Sequence, residues 1–308
     1  MSVSDDKKKA ILEAVESLGY KSPKRSKKQY LSAQVVQPAE EDTCFELVMV
    51  NFLTPTQEVD DPYFTSIRAG IQSRCLKDEI TLRTLHIHQI QANLDLIKNS
   101  VAVVAVGHFN DEDTATLYQA NRNLVFVDSN PLGSKTDAVL IDRVALATEI
   151  MQQILDARCS RPAFIGNDEE RLHVFRDVMK SNGLFRDELC KASEQYCIES
   201  GYQAMREMLQ LAEIPDVVYA ATDMVAIGVY RAIYEHGLSV SDDIQVIGTN
   251  DISSARHMSP SLTTMRLFPF EMGETSVDLV IELKNGRKCR KNVYISHEFV
   301  VRDSFRLS

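Results

Sequence analysis

From Phe45 onward, apolar runs of strand length alternate with amphipathic helical patterns, and no other feature restricts the fold of this chain as much. The runs are Phe45–Phe52, Ile80–Ile87, Val101–Val106, Leu124–Val127, Ala163–Ile165, Val217–Ala220 and Ile244–Ile247. Helical patterns lie between them, as in Phe64–Leu76, Asp113–Ala120, Arg143–Ala157, Arg171–Lys180, Gly201–Ala212 and Met224–Glu235. A strand that is apolar at every position is covered on both faces, which points to parallel sheets with right-handed helical crossovers. Roughly nine strands spread over this length fit two doubly wound α/β subdomains better than one sheet. Ligands of such sheets bind beyond the carboxyl ends of the strands, so function is sought in those loops.

The 308 residues are 44% hydrophobic and 25% charged, an ordinary globular balance. No run of eighteen or more apolar residues suits a membrane span, and the start Met-Ser-Val-Ser-Asp-Asp-Lys-Lys-Lys has no apolar stretch behind its charges. The six cysteines, at 44, 75, 159, 190, 197 and 289, show no short paired spacing. Reduced thiols in a cytoplasmic protein are the expectation, without a zinc site or a redox pair. The net charge of −10 is unevenly spread: residues 1–30 carry eight Lys/Arg against four Asp/Glu, leaving −14 on the rest. A basic arm on an acidic body suits an arm that approaches a polyanion, and a solvated tail would look the same.

That arm begins with a short helical pattern in which Ile11, Ala14, Val15 and Leu18 fall at helical spacing and Gly19 terminates it. A basic stretch, Lys24-Arg25-Ser26-Lys27-Lys28, and a polar segment through Asp42 follow as a linker. Enzyme motifs are absent: there is no glycine-rich dinucleotide turn after a strand, no phosphate-binding P-loop, no nucleophile elbow and no metalloprotease helix. His86 and His88, read as alternating on one strand, are a weak metal signal by themselves. No catalytic residue, metal or cofactor is expected. A ligand held between two lobes is.

Several ordered motifs resemble a known family. Pro215-Asp216-Val217-Val218-Tyr219-Ala220-Ala221-Thr222-Asp223-Met224-Val225-Ala226-Ile227-Gly228 is followed by Val246-Ile247-Gly248-Thr249-Asn250-Asp251-Ile252, Leu262-Thr263-Thr264-Met265-Arg266 and Glu271-Met272-Gly273. Together with Asp61-Pro62-Tyr63-Phe64 and the helix ending Leu18-Gly19-Tyr20, these are similar to the lactose/galactose-repressor family of bacterial transcription regulators. The resemblance covers essentially the whole chain. It implies an α/β fold of two doubly wound parallel-sheet subdomains, of periplasmic-binding-protein type, joined by a three-strand hinge. Residues 1–22 would be the third helix of a DNA-binding head whose recognition helix is not among the 308, and 23–44 a basic hinge. Residues 45–160 with 266–290 would form the N-terminal subdomain, and 161–265 with 291–308 the C-terminal one.

The resemblance also implies partners and roles. The partners would be a small sugar effector, a second copy of the chain in a homodimer, and operator DNA, bound through a full head and weakly by this chain; no membrane is involved. Lys24, Arg25, Lys27, Lys28 and Leu31 would be the DNA-contacting hinge residues. A sugar needs apolar or aromatic surfaces for its C–H faces, and groups that donate and accept for its hydroxyls. Tyr63 is assigned to a sugar face; for Phe64, ligand contact and a helix-start staple both remain open. Arg171 would present fixed donors to vicinal hydroxyls, Tyr196 would stack on the sugar or sit in the core, and Asp142 would contact the effector. Thr222 and Asn250 stand where the family usually shows Asn and Asp, and Leu267-Phe268 replace a frequent Gln-Pro. Asp223 and Asp251 are read as helix caps. A transport-system sugar-binding protein and an α/β enzyme are the competing classes.

Overall fold

The computed structural model describes residues 45–192 and 196–307. The N-terminal helix, the linker and the hinge residues Lys24, Arg25, Lys27, Lys28 and Leu31 fall outside the described residues.

The alternation of strands and helices resolves into two six-stranded sheets. The first contains β1 (Glu46–Asn51), β2 (Thr81–His86), β3 (Ala102–Val106), β4 (Leu124–Val127), β5 (Asp137–Ile141) and β11 (Asn292–Ile295). Its order is β11-β5-β4-β3-β1-β2 and every pair is parallel. The second contains β6 (Pro162–Gly166), β7 (Cys190–Ala192), β8 (Val217–Ala220), β9 (Gln245–Asn250), β10 (Thr263–Arg266) and β12 (Glu298–Val300), in the order β12-β10-β9-β8-β6-β7. Only its edge strand β12 runs antiparallel. Each sheet is doubly wound, with the switch in winding direction between β1 and β3 in one and between β6 and β8 in the other.

The apolar runs are continuous because both faces of each sheet are covered. In the first sheet Val48, Val50, Val103, Ala105 and Phe126 pack with Ile97 of α3 (Leu94–Asn99) and Leu117 of α4 (Asp111–Ala120). The alternate residues Leu47, Met49, Val104, Val125 and Val127 share a core with Ile67 and Ile71 of α2 (Pro62–Lys77), which follows the short α1 (Pro55–Val59), and with Val277 and Val280 of α9 (Pro269–Lys284). In the second sheet Ile165, Val218, Ala220 and Val246 face Met205 of α7 (Ile198–Met208) and Val229 and Ile233 of α8 (Asp223–Glu235). Phe164, Val217 and Tyr219 face Leu172, Phe175 and Met179 of α6 (Glu170–Ser181), and this core is continuous with that of the first lobe. The helix α5 (Arg143–Asp156) adds Ile150, Met151 and Ile154 to the shared core and packs on α6.

The chain crosses between lobes after α5, between β10 and α9, and between β11 and β12. The third crossing differs from the sequence-based boundary, which gave all of 291–308 to the second lobe. Asn292–Ile295 instead extends the first sheet by pairing in parallel with Ala138–Ile141, so the return falls at Ser296–His297. A four-residue edge strand half open to solvent has too little apolar pattern to announce its sheet. His86 and His88 are also corrected: β2 ends at His86, and His88 lies in a following 3₁₀ turn. The His86 ring is tied to the Leu53 carbonyl at 2.8 Å, and the two rings stack 6.1 Å apart.

Candidate functional site: the interlobe cavity

A cavity of about 660 Å³ lies between the carboxyl ends of the two sheets. Its walls come from the loops after β1, β3, β4 and β5 on one side and after β6, β8, β9 and β10 on the other. Both topological switch points open onto it, the place where a ligand is expected in doubly wound sheets.

Local sequence sets the aromatic wall. Asp61 accepts hydrogen bonds from the Tyr63 and Phe64 amides at 3.0 and 3.3 Å and Pro62 fixes the first helical φ, so α2 starts with its two aromatics on the cavity. Phe64 meets Tyr63 and Phe52 edge-on, with ring centroids 5.1 and 4.9 Å apart. Phe52 can lie there because Gly107, at φ +98°, has no Cβ to collide with its ring. Tyr63 therefore lines the cavity as expected, but its hydroxyl is not open: it donates to Asp128 Oδ1 at 2.9 Å.

Asp128 follows β4 and is almost fully buried, with φ +73°. Besides Tyr63, its carboxylate holds Arg143 Nη2 at 2.9 Å, and His108 Nε2 stands 3.6 Å away. Burial alone would raise this carboxyl, but the Arg143 charge, His108 and the Tyr63 hydroxyl outweigh it and leave the group below its ordinary range.

Across the cavity Arg171 opens α6 and is buried, 6% exposed. Its Nε pairs with Glu169, its Nη1 donates to the Ala221 carbonyl at 2.5 Å and its Nη2 to the Tyr196 hydroxyl at 2.7 Å. Burial disfavours the cation, yet Tyr196 and Glu169 hold it firmly protonated. Burial likewise pushes the Tyr196 phenol well above its ordinary value, so it stays a neutral hydroxyl. Glu169 also faces Arg143 of the other lobe, Oε2 to Nε 3.8 Å.

Thr222 caps α8 by accepting from the Val225 amide at 3.3 Å, and it lines the cavity. Asn250 ends β9 at φ +116° and lines it too, with no hydrogen-bond partner for its side-chain amide among the described residues. Asn167 Oδ1, after β6, is buried there without a partner among the described residues. Leu267 supplies an apolar wall.

The structure thus brings together Tyr63, Phe64, Arg171, Tyr196, Thr222 and Asn250. Asp142 is a correction. Its exposed carboxylate accepts from the Ala145 amide at 2.8 Å, capping α5, and it is its neighbour Arg143 that reaches the cavity. The helix caps expected of Asp223 and Asp251 are also not found. Asp223 is buried, accepting from Thr264 Oγ1 at 2.6 Å and the Ile252 amide at 2.8 Å. Asp251 pairs with Arg302 and Arg266 at 2.6 and 2.7 Å. Asp128, Arg143, Asn167, Glu169 and His108 were missed. The strand-end rule points to Asp128 and Asn167; nothing in the sequence says that Arg143 and Glu169 meet across the lobes.

Residues 151–305 match the periplasmic binding protein-like domain family. The HTH-type transcriptional repressor MelR of Bacillus subtilis (strain 168) is 27% identical over 318 residues, covering 99% of this chain and 90% of that protein. The lactose operon repressor of Rhizobium radiobacter is 45% identical over 106 residues, 34% of this chain and 94% of that sequence. The chain belongs to the lactose/galactose-repressor family of transcription regulators. The solved CelR–cellobiose complex of a transcriptional regulator shares the fold, with a TM-score of 0.77 at 20% identity over 99% of this chain and 92% of that one. Thr222, Asn250 and Leu267 all fall on the cavity surface.

Proposed function

We propose that this repressor-family chain is a sugar-responsive regulator, acting as a repressor of a carbohydrate-utilisation operon, and that its interlobe cavity takes a galactoside or similar small neutral sugar. The observation that carries the reading is the cavity itself. A buried, permanently charged arginine, the Asn250 side-chain amide and the Asn167 Oδ1, which has no partner among the described residues, stand opposite the aromatic wall of Tyr63 and Phe64. Polar groups that donate and accept, facing an apolar face, match the two kinds of surface a pyranose presents. The MelR repressor and the lactose operon repressor are regulators by name, and the CelR complex holds cellobiose; these support the same reading.

Because the cavity is built by both lobes, a ligand that contacts both favours one interlobe arrangement over others. Coupled to operator DNA in a homodimer, that preference becomes a change in DNA affinity. Among the described residues, Cys197, the thiol on the cavity wall, has no hydrogen bond to a histidine or carboxylate, and the role proposed is binding without turnover. Calorimetry with galactose, β-galactosides and cellobiose, beside a turnover assay and sedimentation, tests this. Saturable binding to a dimer without product supports it. No binding to any sugar, or steady product formation, ends it.

A further inference from the structure

Glu169 occupies an unusual position in the cavity. It stands at the N-cap of α6, where a carboxylate would ordinarily accept from the first helical amides, yet its side chain makes no such bond. It turns instead between two guanidiniums from opposite lobes, paired with Arg171 of its own lobe and 3.8 Å from Arg143 of the other. Arg143 is balanced by Asp128 at 2.9 Å. The cavity floor is therefore a quartet of two cations and two anions, and both arginines line the ligand space. Two converging arginines form the arrangement that captures a phosphate or carboxylate, and Glu169 already fills it.

We propose that Glu169 is a built-in anion that restricts the cavity to neutral sugars, and that removing its charge opens the niche to phosphorylated or carboxylated ones. With Glu169 ionised, a second anion brought between the arginines meets a carboxylate at short range in a desolvated site, and the arginine donors it needs are engaged. With Glu169→Gln, the quartet carries a net positive charge and the donors on Arg143 and Arg171 turn to the ligand. The selectivity claim rests on the cavity being a sugar site; the anion niche itself does not.

The experiment is calorimetry and thermal shift on the full chain and on Glu169→Gln, with galactose, galactose 6-phosphate and inorganic phosphate as probes. A charge-assisted contact of this kind corresponds to about 10- to 100-fold in affinity. Galactose 6-phosphate and phosphate should bind Glu169→Gln tighter than the wild type by that factor, and Arg143→Met in the same background should abolish the gain. The wild type should prefer galactose to its 6-phosphate. Retained galactose binding by Glu169→Gln without any gain for either anion overturns the proposal. So does a wild type that prefers the phosphorylated sugar, a result that needs no variant to fold. A phosphate gain in Glu169→Gln, with no sugar bound by either protein, would remove the sugar reading and leave the anion niche standing.

Discussion

Arg171 shows why a single side chain can serve both fold and ligand. Its guanidinium holds the Ala221 carbonyl and the Tyr196 hydroxyl while facing the cavity. Loss of a charged partner from a desolvated site costs about 2–4 kcal/mol, so Arg171→Ala should weaken sugar binding by tens to hundreds of fold in calorimetry. The same change should lower the melting temperature, since it strands the Ala221 carbonyl and Glu169; unchanged affinity would put the cavity assignment in error. Asn250 offers a finer test. An amide donates and accepts, whereas an aspartate only accepts when ionised, so the hydroxyl facing position 250 is chosen differently. Titrating hexoses and their β-glycosides against Asn250→Asp should change the ranking of epimers. A uniform loss across that panel would show that Asn250 supports the fold and does not select the ligand.

At the scale of elements, helix ends and helix crossings carry the geometry. Asp142 caps α5 from outside the cavity, so Asp142→Ala should cost about 0.5–2 kcal/mol of stability by chemical denaturation while leaving sugar affinity unchanged. A large loss of affinity at constant stability would return Asp142 to the site. Each lobe also brings two helices into backbone contact through glycines. A Cβ on Gly228 of α8 would stand 1.9 Å from the Ile198 carbonyl of α7, and one on Gly273 of α9 would stand 2.1 Å from the Ile67 carbonyl of α2. These helices begin at the cavity, so their spacing sets where Ile198 and the Tyr63–Phe64 pair stand. Gly228→Ala should therefore destabilise the fold by about 1–3 kcal/mol, read from thermal melts; a melt equal to the wild type would mean that the helices shift apart freely.

For the whole molecule, Asp223 links stability to pH. Burial pushes its carboxyl up to about 7, with the Thr264 hydroxyl and the Ile252 amide opposing, from an ordinary value of 3.8. The folded value is the higher one, so the fold favours the protonated form. This contribution is fully present below the ordinary value and is lost as pH rises toward 7. Its span is on the order of 4 kcal/mol, and Asp223→Asn should flatten the fall in stability between about pH 4 and 7 in denaturant titrations. An unchanged slope would show that another group sets that dependence. Asp223 also fixes the β9 carboxyl end, through the Ile252 amide, beside Asn250.

The sequence by itself determined the two-sheet α/β architecture, because a strand buried on both faces must be apolar throughout and its crossover helix must be amphipathic. It also determined where the ligand space lies, since strand carboxyl ends and the motifs from Asp61 to Phe64 and from Thr222 to Asn250 are contiguous in the chain. The resemblance carried by those motifs pointed to Tyr63, Arg171, Thr222 and Asn250 and left Phe64 and Tyr196 open, and the fold sets all six on one cavity. What only the tertiary structure decided were contacts between residues far apart in sequence. The exposure of Asp142 beside the half-buried Arg143 depends on which way one turn of helix faces. The pairing of Asn292–Ile295 with β5 depends on an edge that only the folded first sheet provides. Arg143 meets Glu169, and Tyr63 meets Asp128, only when packed helices and two sheets bring their loops together. Ion pairs of this kind are set by distance in space, and a linear pattern of apolar and polar residues carries no record of them.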